Sequence, residues 1–295
     1  MLHLYYTPVS PLLDFVDDFW LYDGYTQPHF KERILPSGTI ELVINLRDDE
    51  LRIYDAAQPE RYNRFSGALV SGAYGGFFVI DTAEEVSIMG VHFKPGGAFP
   101  FLGLPAGELA DAHVNLETLW GRSAVELRDR LCGAATPMER FRLLEEALLA
   151  HLFRPLEHHY AVPTALDAFV QTEARATVRD IARDIGLSQR RFIQVFTEEI
   201  GLTPKLFSRV KRFQRTMAIV RQATALDWAR LAVDCGYFDQ SHLIRDFLML
   251  SGFSPSDYLR RQNYLRQHGV HIKRNHLPLA DYGQLFPIPA PFAPP

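Results

Sequence analysis

Between Thr39 and Phe93 the apolar residues fall in short stretches: Thr39-Ile40-Glu41-Leu42-Val43-Ile44, Phe77-Phe78-Val79-Ile80 and Val86-Ser87-Ile88-Met89-Gly90-Val91-His92-Phe93. These are rich in β-branched and aromatic residues, partly alternating, and broken by glycine and charge, which predicts antiparallel strands. After the turn chemistry of Lys94-Pro95-Gly96-Gly97 the period lengthens. Arg122 to Leu131 and Met138 to Phe153 carry apolar residues three and four apart, among them Leu143, Leu144, Ala147, Leu148 and Leu152, and read as helices. Residues 1–160 are therefore expected to form an α+β domain, antiparallel strands followed by helices. The amphipathic segment from Met138 suits a dimer helix and packing within its own domain equally well. Pro155 and Pro163 bracket His158-His159-Tyr160 as a linker. From Ala165 to Arg261 the pattern is helical, which predicts a second, all-α domain over 161–262. Past Tyr264 the chain reads as irregular, and residues 263–295 are expected to be a proline-rich flexible tail, because Phe286 to Pro295 can hold neither a helix nor a central strand.

The helical region repeats itself at a period of 50 to 51 residues. Phe196-x4-Gly201-Leu202-Thr203-Pro204 reappears as Phe247-x4-Gly252-Phe253-Ser254-Pro255, and Ile181-Ala182-Arg183-Asp184-Ile185-Gly186-Leu187 as Leu231-Ala232-Val233-Asp234-Cys235-Gly236-Tyr237. Each copy has the parts of a helix-turn-helix: a helix ending at glycine, a tight turn, and a second helix opened by a polar cap. In the first copy Thr177 caps Val178 to Ile185, and Ser188 caps Gln189 to about Glu199. In the second, Asp227 caps Trp228 to Cys235, and Asp239 caps Gln240 to about Ser251. Thr203-Pro204 and Ser254-Pro255 open further helices. Counting one from Ala165 to Glu173, seven helices are predicted, with the two units joined by a long helix from Pro204 to about Gln222.

At 100° per residue, Phe192, Val195 and Phe196 share the inner side of the first candidate recognition helix, and Arg190, Ile193, Gln194 and Thr197 face outward. Leu243, Phe247 and Leu250 are the inner side of the second, with Ser241, His242 and Arg245 opposite. Arginine pairs with guanine O6 and N7 and glutamine with adenine N6 and N7, each through two hydrogen bonds, while Ile193 suits a thymine methyl. Arg191, Lys205, Arg209, Lys211 and Arg212 are placed to reach phosphates, contacts that orient a protein without specifying sequence. The joining helix spans about 27 Å, against about 34 Å between successive major-groove faces, so bent DNA or unequal contributions from the two units are expected.

Charge sharpens this picture. The net charge is −4, yet residues 1–160 hold 13 basic against 23 acidic residues and residues 161–295 hold 18 against 12, so only the second part suits a polyanion. No apolar run approaches the roughly 18 residues of a membrane span, and the first residues lack the pattern of a secretory signal, which makes the cytoplasm the expected location. The two cysteines, Cys132 and Cys235, cannot build a disulfide framework or a structural zinc site and are expected to be packing residues.

The run Gly236-Tyr237-Phe238-Asp239-Gln240-Ser241-His242-Leu243-Ile244-Arg245-Asp246-Phe247, followed by Gly252-Phe253-Ser254-Pro255-x-x-Tyr258-Leu259-Arg260, strongly resembles the AraC/XylS family of bacterial transcription regulators. Ile181-Ala182, Leu187-Ser188, Phe196 and Gly201-x-x-Pro204 fit the same family in the first unit, so the resemblance covers about 100 residues. It implies sequence-specific binding to double-stranded promoter DNA, with Arg190, Ile193 and Gln194 at base-contacting positions of the first unit and Ser241, His242 and Arg245 at those of the second. Ile193 departs from the polar residues common at its position. A small-molecule effector, RNA polymerase and a second copy of the chain are the further partner classes it brings in. Phe15-Val16-Asp17-Asp18-Phe19-Trp20, Ile34-Leu35-Pro36-Ser37-Gly38-Thr39-Ile40-Glu41-Leu42 and Gly90-Val91-His92-Phe93-Lys94-Pro95-Gly96-Gly97 resemble a divergent sensor or dimerisation domain of some members.

Enzymatic readings fare worse. A DNA-repair methyl-acceptor domain needs several cysteines around zinc, and residues 1–160 offer only Cys132. A cupin-type metal enzyme needs a tight histidine cluster, whereas His3, His29, His92 and His113 are scattered in sequence. There is no glycine-rich phosphate loop and no Gly-x-Ser-x-Gly elbow. No catalytic residue, cofactor or metal ligand is expected. The alternative is a ligand-sensing or metal-binding, cupin-like protein that acts through partners with little DNA affinity, which the salt dependence of DNA binding separates. Trp20, Glu41 and His92 are the candidates for a ligand pocket, against the plainer reading of Trp20 as core and Glu41 as a solvated strand residue.

Overall fold

The structure, a computed structural model, describes residues 2–24, 31–171, 177–267 and 275–279; His29 and the proline-rich stretch 286–295 lie outside them. The strands in chain order are β1 (Leu2–Tyr6), β2 (Val16–Asp23), β3 (Lys31–Ile34), β4 (Glu41–Asn45), β5 (Glu50–Tyr54) and β6 (Tyr62–Ser66). They continue with β7 (Ala68–Ser71), β8 (Phe78–Asp81), β9 (Ser87–Phe93), β10 (His113–Asn115) and β11 (His276–Pro278). Between and after the last of the amino-terminal strands come α1 (Phe99–Leu102), α2 (Leu116–Trp120), α3 (Arg122–Gly133) and α4 (Pro137–Ala150). The carboxy-terminal region holds α5 (Ala161–Gln171), α6 (Val178–Ile185), α7 (Gln189–Ile200), α8 (Pro204–Gln222), α9 (Trp228–Asp234), α10 (Gln240–Ser251) and α11 (Pro255–Gln267).

The strands form two antiparallel sheets, one of six strands in the order β1-β2-β9-β4-β7-β10 and one of five in the order β11-β3-β8-β5-β6. One face of the six-stranded sheet carries Phe19, Leu21, Leu42, Val70, Met89 and Val91 into a large core that also takes in α3, α4 and the carboxy-terminal helices. Its other face carries Trp20, Tyr22, Leu69 and Ile88 against Leu51 of the second sheet. Burial on both faces explains why Phe19 to Tyr22 of β2 and Ile88 to Val91 of β9 read as apolar runs with weak alternation. The buried side of α4 (Phe141, Leu143, Leu144, Ala147 and Leu148) is spent inside its own domain.

The helical repeat hangs on α8. Phe196 of α7 and Phe247 of α10, equivalent positions of the two copies, are both fully buried. Each meets a phenylalanine of α8 edge to face, Phe196 on Phe207 at 5.4 Å and Phe247 on Phe213 at 4.9 Å. Burial of each ring is worth about 2 kcal/mol, so α8 is a shared spine for both units.

Four expectations need correction. The helix expected from Ala165 begins at Ala161 and includes Pro163, which is tolerated in a first turn whose N–H groups have no intrahelical partner. The tail is not wholly irregular. His276–Pro278 pairs antiparallel with β3, Leu277 is fully buried, and backbone hydrogen bonds Leu35 N to Asn275 O and Leu279 N to Lys31 O flank the pairing. Its proline sits at the strand end, on the border of the sheet, where a missing N–H costs nothing. Cys132 is exposed, its thiol donating to Leu46 O at 3.4 Å, while Cys235 is buried as expected. Finally, the apolar core runs unbroken from the sheets into the helical repeat, so the linker near residue 160 is not a packing boundary.

Candidate nucleic-acid interface

Local capping builds both units. Thr177 accepts from Asp180 N at 3.2 Å and Ser188 from Arg191 N at 3.3 Å. Asp227 accepts from Ala229 N and Arg230 N, both at 3.1 Å, and Asp239 from His242 N at 2.7 Å. Each side-chain oxygen satisfies orphan N–H groups of the helix it opens, which fixes where the recognition helices α7 and α10 start. With Phe192, Phe196, Leu243, Phe247 and Leu250 turned inward, Arg190, Arg191, Gln194, Ser241 and Arg245 are exposed, and Ile193 and His242 are half-buried. Gln194 Nε2 donates to Glu198 Oε1 at 2.9 Å, a solvent-facing bond that a base edge can replace. His242 leans its ring edge to face on Tyr237 at 5.3 Å and accepts a backbone hydrogen bond from Phe238 N at 3.4 Å.

The expected phosphate set divides. Arg191 and Lys205 are exposed. Arg209 and Arg212 instead clamp Asp246, which is 2% exposed: Arg209 Nη2 lies 2.7 Å from Oδ1 and Arg212 Nη2 2.9 Å from Oδ2. Arg212 also lies 4.5 Å over the Tyr237 ring. Lys211 donates to Ser37 O at 3.2 Å, and its neighbour Gln214 donates to Pro36 O, so this side of α8 is fastened to the amino-terminal domain. The charge pattern of α8 marks cations without marking their partners, which lie 34 to 174 residues away in sequence. Asp246, inside the quoted motif, is the functional side chain that helical sorting missed. Between the units a groove of about 650 Å³ is lined by Lys205, Arg209, Arg245, His242, Asp246 and Thr177.

Both recognition helices are gripped at the same point of the repeat. Gly201 and Gly252 end α7 and α10 in the left-handed region, at φ 93° and 72°. A Cβ on Gly201 would stand 3.2 Å from Ala73 Cβ and 3.3 Å from Ala106 O, and one on Gly252 would stand 2.9 Å from Phe77 Cε1. Arg33 of β3 lies 3.9 Å over the ring of Phe253 and 5.0 Å over that of Phe77. Thr197, expected to face outward, packs against Gly107 of the amino-terminal domain: the domain covers the last turns of α7 and leaves its first turns open. Glu199, 3% exposed, accepts from His158 Nδ1 at 2.5 Å and His159 N at 3.1 Å, and His158 stacks on Phe15 at 4.7 Å.

Trp20, Glu41 and His92 line one cavity between the two sheets, enclosing about 100 Å³. Cross-strand register explains their meeting. Asp18 pairs with His92, His92 with Glu41, Glu41 with Ser71 and Ser71 with His113, which makes a polar row across five strands on one face. The adjacent row is Trp20, Gly90, Val43 and Leu69. Gly90 is required there, because a Cβ would come within 2.6 Å of the indole. His92 Nδ1 lies 2.9 Å from Asp18 Oδ1, and Nε2 lies 4.0 Å from Glu41 Oε1. Burial opposes charge on His92, but its hydrogen bond to Asp18 and the charges of Glu41, Asp18 and Asp17 outweigh it and raise its pKa. His113, bonded to the Tyr74 hydroxyl and 3.3 Å from Ser71 Oγ, is pushed down to about 3 by burial and is neutral. His276 of β11 completes the wall, its Nδ1 2.5 Å from Glu32 Oε2. Among the described residues no group of three or more His, Cys, Asp and Glu side chains could hold a metal ion, and no helix is long and apolar enough to cross a membrane.

Residues 181–261 match a family described as a helix-turn-helix domain, the span of α6 to α11. The chain carries an AraC-type DNA-binding domain. Residues 5–115, nearly all of the two sheets, match a family described as a domain of unknown function (DUF6597). No curated protein matches the chain. Among solved structures it is similar to a transcriptional regulator with an AraC-type DNA-binding domain from Chromobacterium violaceum, at 18% identity over 35% of this chain and 91% of that one, with a TM-score of 0.31. It is also similar to an apo variant of ToxT from Vibrio cholerae (12% identity, 84% of this chain and 97% of that one, TM-score 0.42). Wild-type ToxT from Vibrio cholerae with bound unsaturated fatty acid gives 10% identity over 82% of this chain and 94% of that one, with a TM-score of 0.41.

Proposed function

We propose that the chain is a promoter-binding regulator whose two recognition helices enter adjacent major grooves, and whose cavity between the sheets takes the small-molecule effector. Arg190, Ile193 and Gln194 face base edges from α7, and Ser241, His242 and Arg245 from α10. Arg191 and Lys205 contact phosphates, and the cationic groove between the units seats the backbone that separates the two major grooves. The observation that carries this reading is the exposure of the first turns of both recognition helices while their last turns are held on the amino-terminal domain. Helix-turn-helix proteins read bases with the first turns. Catalysis has no part in the proposal. The small-molecule control it describes runs through the contacts at Gly201, Gly252 and Phe253, which connect the sheets to both helices.

The test is selection of bound sequences from random DNA, followed by affinity measured against salt. A bipartite site with half-sites about one helical turn apart is expected, with log affinity falling linearly in log salt. A single half-site would sink the two-groove reading, and salt-insensitive binding would sink the assignment of Arg191 and Lys205 to phosphates.

A further inference from the structure

The polar row in the cavity has one charge too many. Glu41 projects from β4 with its side chain 24% exposed, and its nearest charged partner among the described residues is His92, at 4.0 Å. That imidazole is shared with Asp18, which holds it at 2.9 Å. A single imidazolium between two carboxylates leaves one negative charge over, and a neutral imidazole leaves two. The other ionisable groups of the wall have counterparts nearer than Glu41: Arg52 pairs with Glu50, which Arg64 also reaches at 3.5 Å, Asp81 with Lys31 at 3.9 Å, and His276 with Glu32 at 2.5 Å. Beside Glu41 the wall is apolar and aromatic, with Trp20, Tyr22, Val43, Leu69 and Ile88. Among the described residues no cation other than His92 stands within ion-pair distance of Glu41, and a carboxylate beside apolar surface is costly without one. Indole and phenol faces favour a cation as well.

We propose that the cavity binds a small organic cation, an amine whose ammonium group sits on Glu41 and whose aliphatic body lies against Trp20. The inference rests on the effector role of this cavity. Its volume of about 100 Å³ is below the roughly 150 Å³ that accommodates a benzene ring, which limits the part of the ligand inside it to about five non-hydrogen atoms. Register gives the selectivity. Gly90 makes room for the Trp20 ring in the row next to Glu41, and His113, neutral, offers no charge to an anionic ligand.

The experiment uses the full chain and three probes of nearly one shape: isobutylammonium, isobutanol and isobutyrate, at matched ionic strength. Binding is read by thermal shift and by ligand-observed NMR, and promoter affinity is measured in parallel. Isobutylammonium is expected to bind at least tenfold more tightly than the alcohol. Glu41→Gln should remove that preference while leaving the alcohol's binding unchanged, and Glu41→Asp, which retracts the carboxylate, should weaken it. The proposal is overturned if isobutyrate or isobutanol binds as tightly, if Glu41→Gln keeps the preference, or if none of the three binds. Failure of the effector reading looks different: Glu41-dependent binding of the amine with unchanged promoter affinity leaves the ligand class standing and removes its control over DNA. Isobutyrate binding that shifts promoter affinity does the reverse.

Discussion

The two recognition helices are repeats of one another, yet they are anchored by different chemistry. In α10 the buried charge, Asp246, is held by Arg209 and Arg212 of α8, so the anchor is internal to the DNA-binding domain. In α7 the buried charge, Glu199, is held by His158 and His159 of the segment that leads in from the amino-terminal domain. The second unit therefore carries its own rigidity, whereas the first borrows it. The amino-terminal domain meets α7 through Phe15, His158 and Glu199 as well as at Gly201, and meets the end of α10 at Gly252 and Phe253.

The comparison breaks most visibly at Asp246. Asp246→Ala is expected to cost about 3 kcal/mol in urea unfolding, since it removes the common partner of two guanidinium groups from a buried site. Loss of less than 1 kcal/mol would mean that α10 does not depend on its own domain. His158→Ala should cost about 2 kcal/mol, the worth of a hydrogen bond to a buried charge, and should raise amide hydrogen exchange in α7 while leaving α10 protected. Equal effects on both helices would erase the asymmetry. Arg190→Ala and Arg245→Ala test the units as readers: each should lose about 2 kcal/mol of discrimination at one base pair, in opposite halves of the selected site. Uniform weakening on all sequences would make that arginine a phosphate contact. The smallest effects belong to the shared points of grip. Gly201→Ala and Gly252→Ala should each cost about 1 kcal/mol from the left-handed backbone, and an unchanged melting temperature in both would show that the grip is loose.

The helical repeat was legible because its signals are local. A cap and its N–H lie three residues apart, and Phe196 and Phe247 mark the inner faces by period alone. The central strands β4 and β9 were legible because both carry runs of apolar residues, and the cross-strand register sets Glu41 and His92, the two polar pocket candidates, side by side. β5 and the edge strand β6 carry no clean alternation, and β11 is three residues long with a proline, below what periodicity resolves. The clamp on Asp246, the Lys211 contact to Ser37 and the pairing of His276 with Glu32 depend on partners that only the assembled fold brings near. Lys211 accordingly leaves the set of candidate phosphate contacts.

The return of the chain to β3 has a mechanical consequence. The DNA-binding domain leaves the sheets at Ala161 and the chain comes back to them at Asn275, so a covalent tie at each end adds to the contacts of α8 with Pro36 and Ser37 and of Gly201 and Gly252 with Ala73 and Phe77. A body clamped in this way cannot swing as a pendant module would. Cutting the chain after Gln267 would remove one of those ties and, in the same stroke, bare the backbone edge of β3 to pairing with other molecules.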